Sequence, residues 1–298
     1  MNKFFDKLPF KKLAEKIPAG TRAKVPLLDK AIPFANQIVC GLAVVLLVTV
    51  IACSGKGGNS GGGSSSSGKV KFTMASESDF DVELLSDGTA SITKYKGNGG
   101  NIAVPATIQG VQVTKIGNGA FATSYEDISK SRLTGVQLPE GLKEIGNRAF
   151  KWSSISTIII PDSVTVFGDS IFEGDDHDEM TWQLKSFTFP AGLIASKIIP
   201  EKMFSCSGLS GSLVIPEGID TIETYAFFGC KNLTSVTLPS TIIKIDANVF
   251  QRCDNLTEVI IPASVTNIQW GWYPFDKCPK LNLASQARIR ELGYKQGF

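Results

Sequence analysis

The sequence predicts a mainly β solenoid, and three features support that prediction. First, a block of the form P-x-x-[ILV]-x-x-[IF]-[GDE]-x-x-[AVI]-F recurs, as in PEGLKEIGNRAF from Pro139 and PEGIDTIETYAF from Pro216. Second, the prolines that open the units are spaced 22, 29, 26, 23 and 23 residues apart: Pro139, Pro161, Pro190, Pro216, Pro239 and Pro262. Third, a short apolar strand precedes each proline. Such a unit cannot bury its apolar face alone and must stack on its neighbours.

Residues 1–52 have the pattern of an export leader that ends in an apolar segment, residues 38–52. Residues 1–37 carry eight Lys or Arg against three acids, whereas the chain from Cys53 onward has 22 basic and 25 acidic residues. A nucleic-acid binder needs its basic surface on the folded part. We therefore expect no nucleic-acid partner.

Cys53 directly follows the apolar segment, and Val50-Ile51-Ala52-Cys53 resembles the lipobox of bacterial lipoproteins. That resemblance implies that Cys53 is acylated and anchors the mature protein in a bacterial cell envelope. Fifteen helical residues span about 22 Å, less than the ~30 Å hydrocarbon core of a bilayer. The leader is longer than the usual ~15–30 residues, so an uncleaved signal anchor is the alternative.

Residues 53–68 follow as a flexible tether, because a run of Gly and Ser without apolar side chains cannot pack. Residues 69–101 then alternate polar and apolar positions in three short stretches separated by Ser-Asp-Gly and Gly-Asn-Gly-Gly turns. They predict short antiparallel strands that form an N-terminal β cap over the first repeat.

Residues 102–281 make up about seven units of roughly 23 residues each, and we expect two columns of buried side chains along them. The aromatic column comprises Phe121, Phe150, Phe172, Phe204, Phe227, Phe250 and Phe275. The thiol column comprises Cys206, Cys230, Cys253 and Cys278. Equivalent side chains on stacked strands point in parallel, so these thiols are expected to be packing groups and not disulfides.

The repeat pattern resembles the BspA-like leucine-rich repeats of bacterial and protozoan surface proteins. The resemblance covers about residues 102–281 and implies a leucine-rich-repeat solenoid with atypical ends. The C-terminal end, residues 282–298, is predicted to be a short cap helix that begins at Ser285 and stops at Gly293. The resemblance also implies adhesion to host matrix proteins or to other bacteria, so we expect a host matrix or envelope protein as partner.

Few residues are placed for chemistry. The single histidine, His177, lies in an acidic insertion after Phe172 that we interpret as a solvated loop. That insertion lacks the spacing of a calcium loop, and no C-x-x-C pair or second His suggests zinc. With one histidine, which lies in that loop, we expect no catalytic triad. We therefore expect no enzyme, cofactor or metal.

Two surfaces are candidates for binding. One is the outward column of the strands before each proline: Gln137, Ile159, Thr188, Val214, Thr237 and Ile260. Its companion positions run from Gly135 to Glu258 and are rich in hydroxyl groups. The second is an aromatic segment in the last unit, interpreted as a two-residue insertion: Trp270, Trp272 and Tyr273. Those aromatics contact a partner or form a hydrophobic lid.

The function that the sequence favours is a non-enzymatic binding or adhesion protein, lipid-anchored in a bacterial cell envelope, with a protein partner. Two alternatives stay open at this point. One is an envelope enzyme whose acidic residues lie on the insertion loops, and the other is a structural spacer without a dedicated ligand.

Overall fold

The computed structural model describes residues 70–124, 133–176 and 183–298. All of them belong to one compact unit, Ser66–Phe298. They form a mainly β solenoid of about seven turns of about 23 residues, as the repeat period predicts. The leader, Cys53, the whole tether and His177 lie outside the described residues.

All turns of the solenoid but that of Pro190 place one strand before the proline, and these strands stack in parallel. They form two sheets: β1 (Thr73–Met74), β4 (Gly100–Ala103), β7 (Leu133–Gln137) and β9 (Thr157–Ile159), then β12 (Gly211–Val214), β14 (Leu233–Thr237) and β16 (Glu258–Ile260). Equivalent repeat positions are in register, for example Val236 opposite Val259. Successive side chains of these strands therefore point alternately outward and inward, as the repeat pattern predicts.

The sheet is broken between β9 and β12, where a strand before Pro190 was predicted and none is present. In that unit Phe187 and Phe189 stand where other units place Val, Ile or Leu. Both rings are half-buried, and Phe187 packs edge-on against Phe204 with ring centroids 4.8 Å apart. Aromatic rings need more room than the aliphatic side chains of neighbouring units, so this segment does not align with either neighbouring strand. Thr188 consequently does not lie on a strand.

A second set of strands follows the prolines and also stacks in two sheets. The first contains β2 (Phe80–Leu84), β3 (Ala90–Tyr95), β6 (Val111–Ile116), β8 (Glu144–Ile145) and β10 (Val166–Phe167), with β5 (Thr107–Ile108) paired to β6. The other contains β11 (Ile198–Ile199), β13 (Thr221–Ile222), β15 (Lys244–Ile245) and β17 (Gln269–Trp270). Between the two sets lies helix α1 (Ala191–Ser196), which takes the place of a turn in its unit.

The turns that carry the Phe column are also joined from unit to unit by backbone hydrogen bonds. The N–H of Phe227 donates to the carbonyl of Val249 at 3.0 Å, and the other units repeat this bond. The residue two positions before each Phe adopts a left-handed conformation: Gly119, Arg148, Ser170, Lys202, Tyr225, Asn248 and Tyr273. These turns therefore require a conformation that glycine adopts at least cost.

The Phe column is confirmed. Consecutive rings from Phe121 to Phe275 stack with centroids 4.9–5.6 Å apart and planes within 18°. Tyr95 of the N-terminal cap adds one more ring below Phe121, at 5.4 Å. Stacked aromatic rings bury much apolar surface and add about 0.5–1.5 kcal/mol per pair beyond burial.

The four cysteines of the thiol column are free and buried, as predicted. The thiols of Cys230, Cys253 and Cys278 donate to the carbonyls of Phe204, Phe227 and Phe250, at 3.1–3.3 Å. Burial raises the pKa of Cys206 to about 11 and the pKa values of Cys230 and Cys278 to about 12. These thiols are thus protonated at neutral pH, and those of Cys230, Cys253 and Cys278 bond to the unit before them.

The N-terminal cap is a partial turn of the solenoid. Strands β2 and β3 pair antiparallel, as expected. In contrast, β1 was expected to be antiparallel and pairs parallel with β4, because it continues the sheet of the strands that precede the prolines. The cap also covers the companion position Gly135: Phe72 and Asn101 lie over it, and a Cβ there would be 2.6 Å from Asn101 Oδ1.

The C-terminal cap contains helix α2 (Leu283–Glu291). Asn282 caps it, since the Asn282 side chain accepts from the Ser285 N–H at 2.8 Å. The prediction that Ser285 is the cap was wrong. Ser285 is buried, and its Oγ accepts a hydrogen bond from the N–H of Val259 at 2.9 Å. Val259 lies on β16, the last strand of its sheet, so no further strand accepts from this N–H. Gly293 follows α2 with a φ of 93°, as a helix stop requires.

Candidate interaction surfaces

We define the strand face as the outward column Gln137, Ile159, Val214, Thr237 and Ile260. Ile159, Val214 and Ile260 are exposed, and Val214 keeps 61% of its surface accessible. Gln137 and Thr237 are half-buried. Exposed aliphatic side chains in a regular row are a surface that a protein partner can bury. Thr188, predicted to belong to this column, is exposed but lies at the break between the two sheets.

Hydroxyl groups accompany the aliphatic row. Ser212 and Ser235 stand on neighbouring strands, and their Oγ atoms are 2.7 Å apart in a hydrogen bond. Toward the N-terminus, the cap covers the companion position Gly135, while the outward column continues in register from Gln137 through Ala103 to the exposed Met74. The strand face is therefore extended by the cap at one end, and its C-terminal half carries Val214 and Ile260.

In the aromatic segment of the last unit, Trp270 belongs to a hydrophobic lid, whereas Trp272 and Tyr273 are exposed. Trp270 is half-buried, and its Nε1–H donates to the Leu292 carbonyl at 2.8 Å. Its ring packs against Phe275 and Tyr294, so Trp270 belongs to the C-terminal lid. Trp272 and Tyr273 are exposed by 70% and 46% and stay available for a partner.

The aromatic segment is not an insertion, contrary to expectation. Trp270 pairs with Ile245 in the register of β17 and β15, so the segment occupies ordinary repeat positions. The two additional residues of this unit lie upstream, between Val265 and Gln269. The position of the extra residues depends on the backbone pairing between neighbouring turns, which the sequence of one unit does not show.

A cleft that sequence reasoning missed opens on the turns that carry the Phe column. Its volume is about 310 Å³. Aromatic side chains form its walls, namely Trp152, Tyr225 and Phe228. Gly174, Ser205 and Cys206 are the buried residues among those that line it. The sequence signal that could have indicated it is a large aromatic residue at turn positions where most other units have small, polar or charged residues.

Ion pairs surround the cleft. Asp176 contacts Lys231 Nζ at 3.1 Å and also pairs with the Arg252 guanidinium, which lies 76 residues away in the chain. Burial alone would raise the pKa of Asp176, but the hydrogen bond from Lys231 and the positive charges of both partners hold it below its ordinary value. The Asp176 carboxylate therefore links Lys231 and Arg252, which belong to two different units, whereas the sequence suggested that Asp176 lies in a solvated loop.

Within residues 70–124, 133–176 and 183–298, no group of three or more His, Cys, Asp or Glu side chains is placed to hold a metal ion. In the same part of the chain, no helix has the length and apolar character needed to cross a membrane. The apolar segment 38–52 is outside these residues.

Comparison with known proteins agrees with the repeat pattern. The chain matches the BspA type leucine-rich repeat region in six copies, over residues 101–196 and 197–290. No curated protein matches it. A solved leucine-rich repeat protein of T. pallidum is 27% identical, with a TM-score of 0.63 over 75% of this chain and 97% of that chain. A leucine-rich cell surface protein of Faecalibacterium prausnitzii is 19% identical, with a TM-score of 0.36 over 70% of this chain and 81% of that one.

Proposed function

This chain belongs to the BspA-type leucine-rich repeat family, and from that membership we propose that it is a non-enzymatic interaction protein of the bacterial cell envelope. The repeats are typical of surface and interaction proteins. The proposed role is adhesion: the solenoid binds a protein partner, either a host matrix protein or an envelope protein, through the strand face. No cofactor takes part.

The observation that carries this proposal is the exposed aliphatic row on a rigid sheet. Val214 and Ile260 lie on β12 and β16, on either side of Thr237 on β14, in one sheet of fixed register. Their exposure leaves apolar surface in water that a partner can cover. Because the strands are held in register, the row meets a partner without a further loss of backbone freedom, which favours affinity.

The strand face is tested by the double variant Val214→Asp/Ile260→Asp. We expect its binding to purified matrix proteins and solubilised envelope proteins to be at least about tenfold weaker, since two buried charges oppose a close apolar contact. The matched control is Ile243→Asp, because Ile243 is 54% exposed but lies outside the strand face. Biolayer interferometry measures both, after circular dichroism has shown an unchanged fold.

If the double variant binds as tightly as the wild type, the strand face is not the binding surface, and Trp272 with Tyr273 become the next candidates. If the wild type binds neither class of protein, the adhesion role is wrong and a structural spacer is the better account of the solenoid.

The location in the envelope rests on a proposed lipid anchor at Cys53, joined to the solenoid by the Gly and Ser tether. Removing the thiol in Cys53→Ala is expected to abolish fatty-acid labelling and to leave a larger, uncleaved precursor. Metabolic labelling with a palmitate analogue and mass spectrometry measure these changes. Cys40→Ala is the control, since Cys40 lies inside the apolar segment. Unchanged labelling of Cys53→Ala would rule out this anchor.

A further inference from the structure

The cleft on the Phe-bearing turns is built from groups that suit one class of ligand. Its walls are the half-buried rings of Trp152, Tyr225 and Phe228. Polar groups of both kinds reach its rim: the carboxylates of Glu173 and Asp175 and the ammonium of Lys202. Ligand sites combine apolar walls with a few placed polar groups, and a volume of about 310 Å³ is at the small end of their range.

The charges around the cleft are paired. Lys151 Nζ lies 2.9 Å from Glu173 Oε2, and Lys202 Nζ lies 2.7 Å from Glu201 Oε1. Asp176 pairs with Lys231 and Arg252. An anionic or cationic ligand would have to compete with these pairs for its counter-charge. A neutral ligand can instead use their remaining donor and acceptor capacity.

The aromatic rings are also occupied on one side by cations of the chain itself. Lys151 lies over Trp152 at 4.7 Å, Lys202 over Tyr225 at 5.5 Å, and Arg252 over Phe228 at 5.7 Å. A ligand cation that approached the same rings would meet a positive charge already in place. The cleft therefore disfavours ammonium or guanidinium ligands, although aromatic walls often bind them.

Trp152 and Tyr225 stand at turn positions whose backbone conformation is costly for a large side chain. Trp152 and Tyr225 have φ values of 57° and 60°, in the left-handed region. Glycine stands at these positions in some units, as Gly229 does for Trp152 and Gly119 for Tyr225, and other units place long cationic side chains there, such as Arg252 and Lys202. A bulky residue in this conformation costs about 1–2 kcal/mol, and glycine would avoid that cost. Neither ring is buried in the core, so core packing does not explain why large aromatics stand here.

From these observations we propose that the cleft between Trp152 and Tyr225 binds a neutral saccharide. A sugar ring presents apolar C–H groups on its faces and hydroxyl groups at its edge. The C–H face packs on the aromatic walls, while Glu173 and Asp175 accept from hydroxyl groups and Lys202 donates to them. This site lies apart from the strand face and does not depend on the adhesion role proposed above.

The first experiment applies the full-length protein to an array of neutral, acidic and cationic oligosaccharides, followed by isothermal titration calorimetry with the best neutral trisaccharide. We expect binding to neutral members and no preference for charged ones. Trp152→Gly and Tyr225→Gly should each weaken the affinity at least about tenfold, because each removes a stacking surface. Glycine keeps the left-handed backbone, so the melting temperature of both variants should not fall.

The controls separate this site from the strand face. Trp272→Gly removes an exposed indole outside the cleft and should bind the trisaccharide as the wild type does. Val214→Asp/Ile260→Asp should also retain that binding. Absence of binding to any neutral oligosaccharide, tighter binding of a charged one, or full affinity in both cleft variants would each overturn the proposal.

Discussion

Phe227→Ala is expected to lower the free energy of unfolding by about 3–5 kcal/mol, the cost of a large cavity in a core that cannot collapse around it. Phe227 is fully buried, and its ring lies between Phe204 at 5.4 Å and Phe250 at 5.3 Å. The neighbouring turns are held at fixed spacing by backbone hydrogen bonds such as that from Phe227 to Val249. The cavity therefore cannot be closed by a local shift.

Urea denaturation followed by circular dichroism measures this effect. The matched control is Phe228→Ala, since Phe228 is the adjacent residue but only half-buried. We expect it to cost much less. Because a solenoid is stabilised by contacts between neighbouring units, the Phe227 variant should also unfold less cooperatively. An unchanged urea midpoint for Phe227→Ala would show that the Phe column does not hold the solenoid together.

Gly192→Ala is expected to destabilise the protein by about 3 kcal/mol or more, through overlap of a new methyl group with the backbone. Gly192 is buried in helix α1, where a Cβ would be 1.7 Å from the carbonyl oxygen of Val164 in the preceding unit. The obstacle is backbone, so no side-chain rotation relieves it. Helix α1 would have to move away from its neighbour.

The expected change in stability is opposite to the one that helix propensity predicts. By propensity alone, Gly→Ala within a helix stabilises the helix by about 1 kcal/mol. The close approach of α1 to the unit before it reverses that expectation. Gly297→Ala is the control, because a Cβ there meets nothing within 4 Å. Thermal unfolding gives the melting temperatures of the two variants. A melting temperature of Gly192→Ala at or above that of the wild type would contradict the packing of α1 against Val164.

Most of the repeat architecture could be predicted from the residues. The Phe and Cys columns were identified from spacing alone, and the structure places them as stacked rings and free buried thiols. The strand face was predicted in the same way, since residues alternate between the two sides of a strand. The structure confirms that Ile159, Val214 and Ile260 are exposed on it. Their role in binding stays a prediction.

Other features could not be predicted, because they depend on residues from different units. Thr188 lost its place in the strand face since Phe187 and Phe189 interrupt the sheet. Trp270 became part of the lid through a hydrogen bond to Leu292, which the chain reaches only after the C-terminal helix. Ser285 was assigned to the wrong partner because a hydroxyl group near a helix start can cap that helix or bond elsewhere.

The sequence by itself determined the solenoid, its inward columns and the family, because a repeated local pattern imposes the same conformation and the same buried face on each unit. Only the tertiary structure decided where the sheet breaks, which aromatic side chains remain exposed, and that a cleft exists. Trp152 and Tyr225 are 73 residues apart, and Asp176 and Arg252 are 76 apart. Such groups share one surface because stacking places successive turns about 5 Å apart, a distance that sequence separation does not encode.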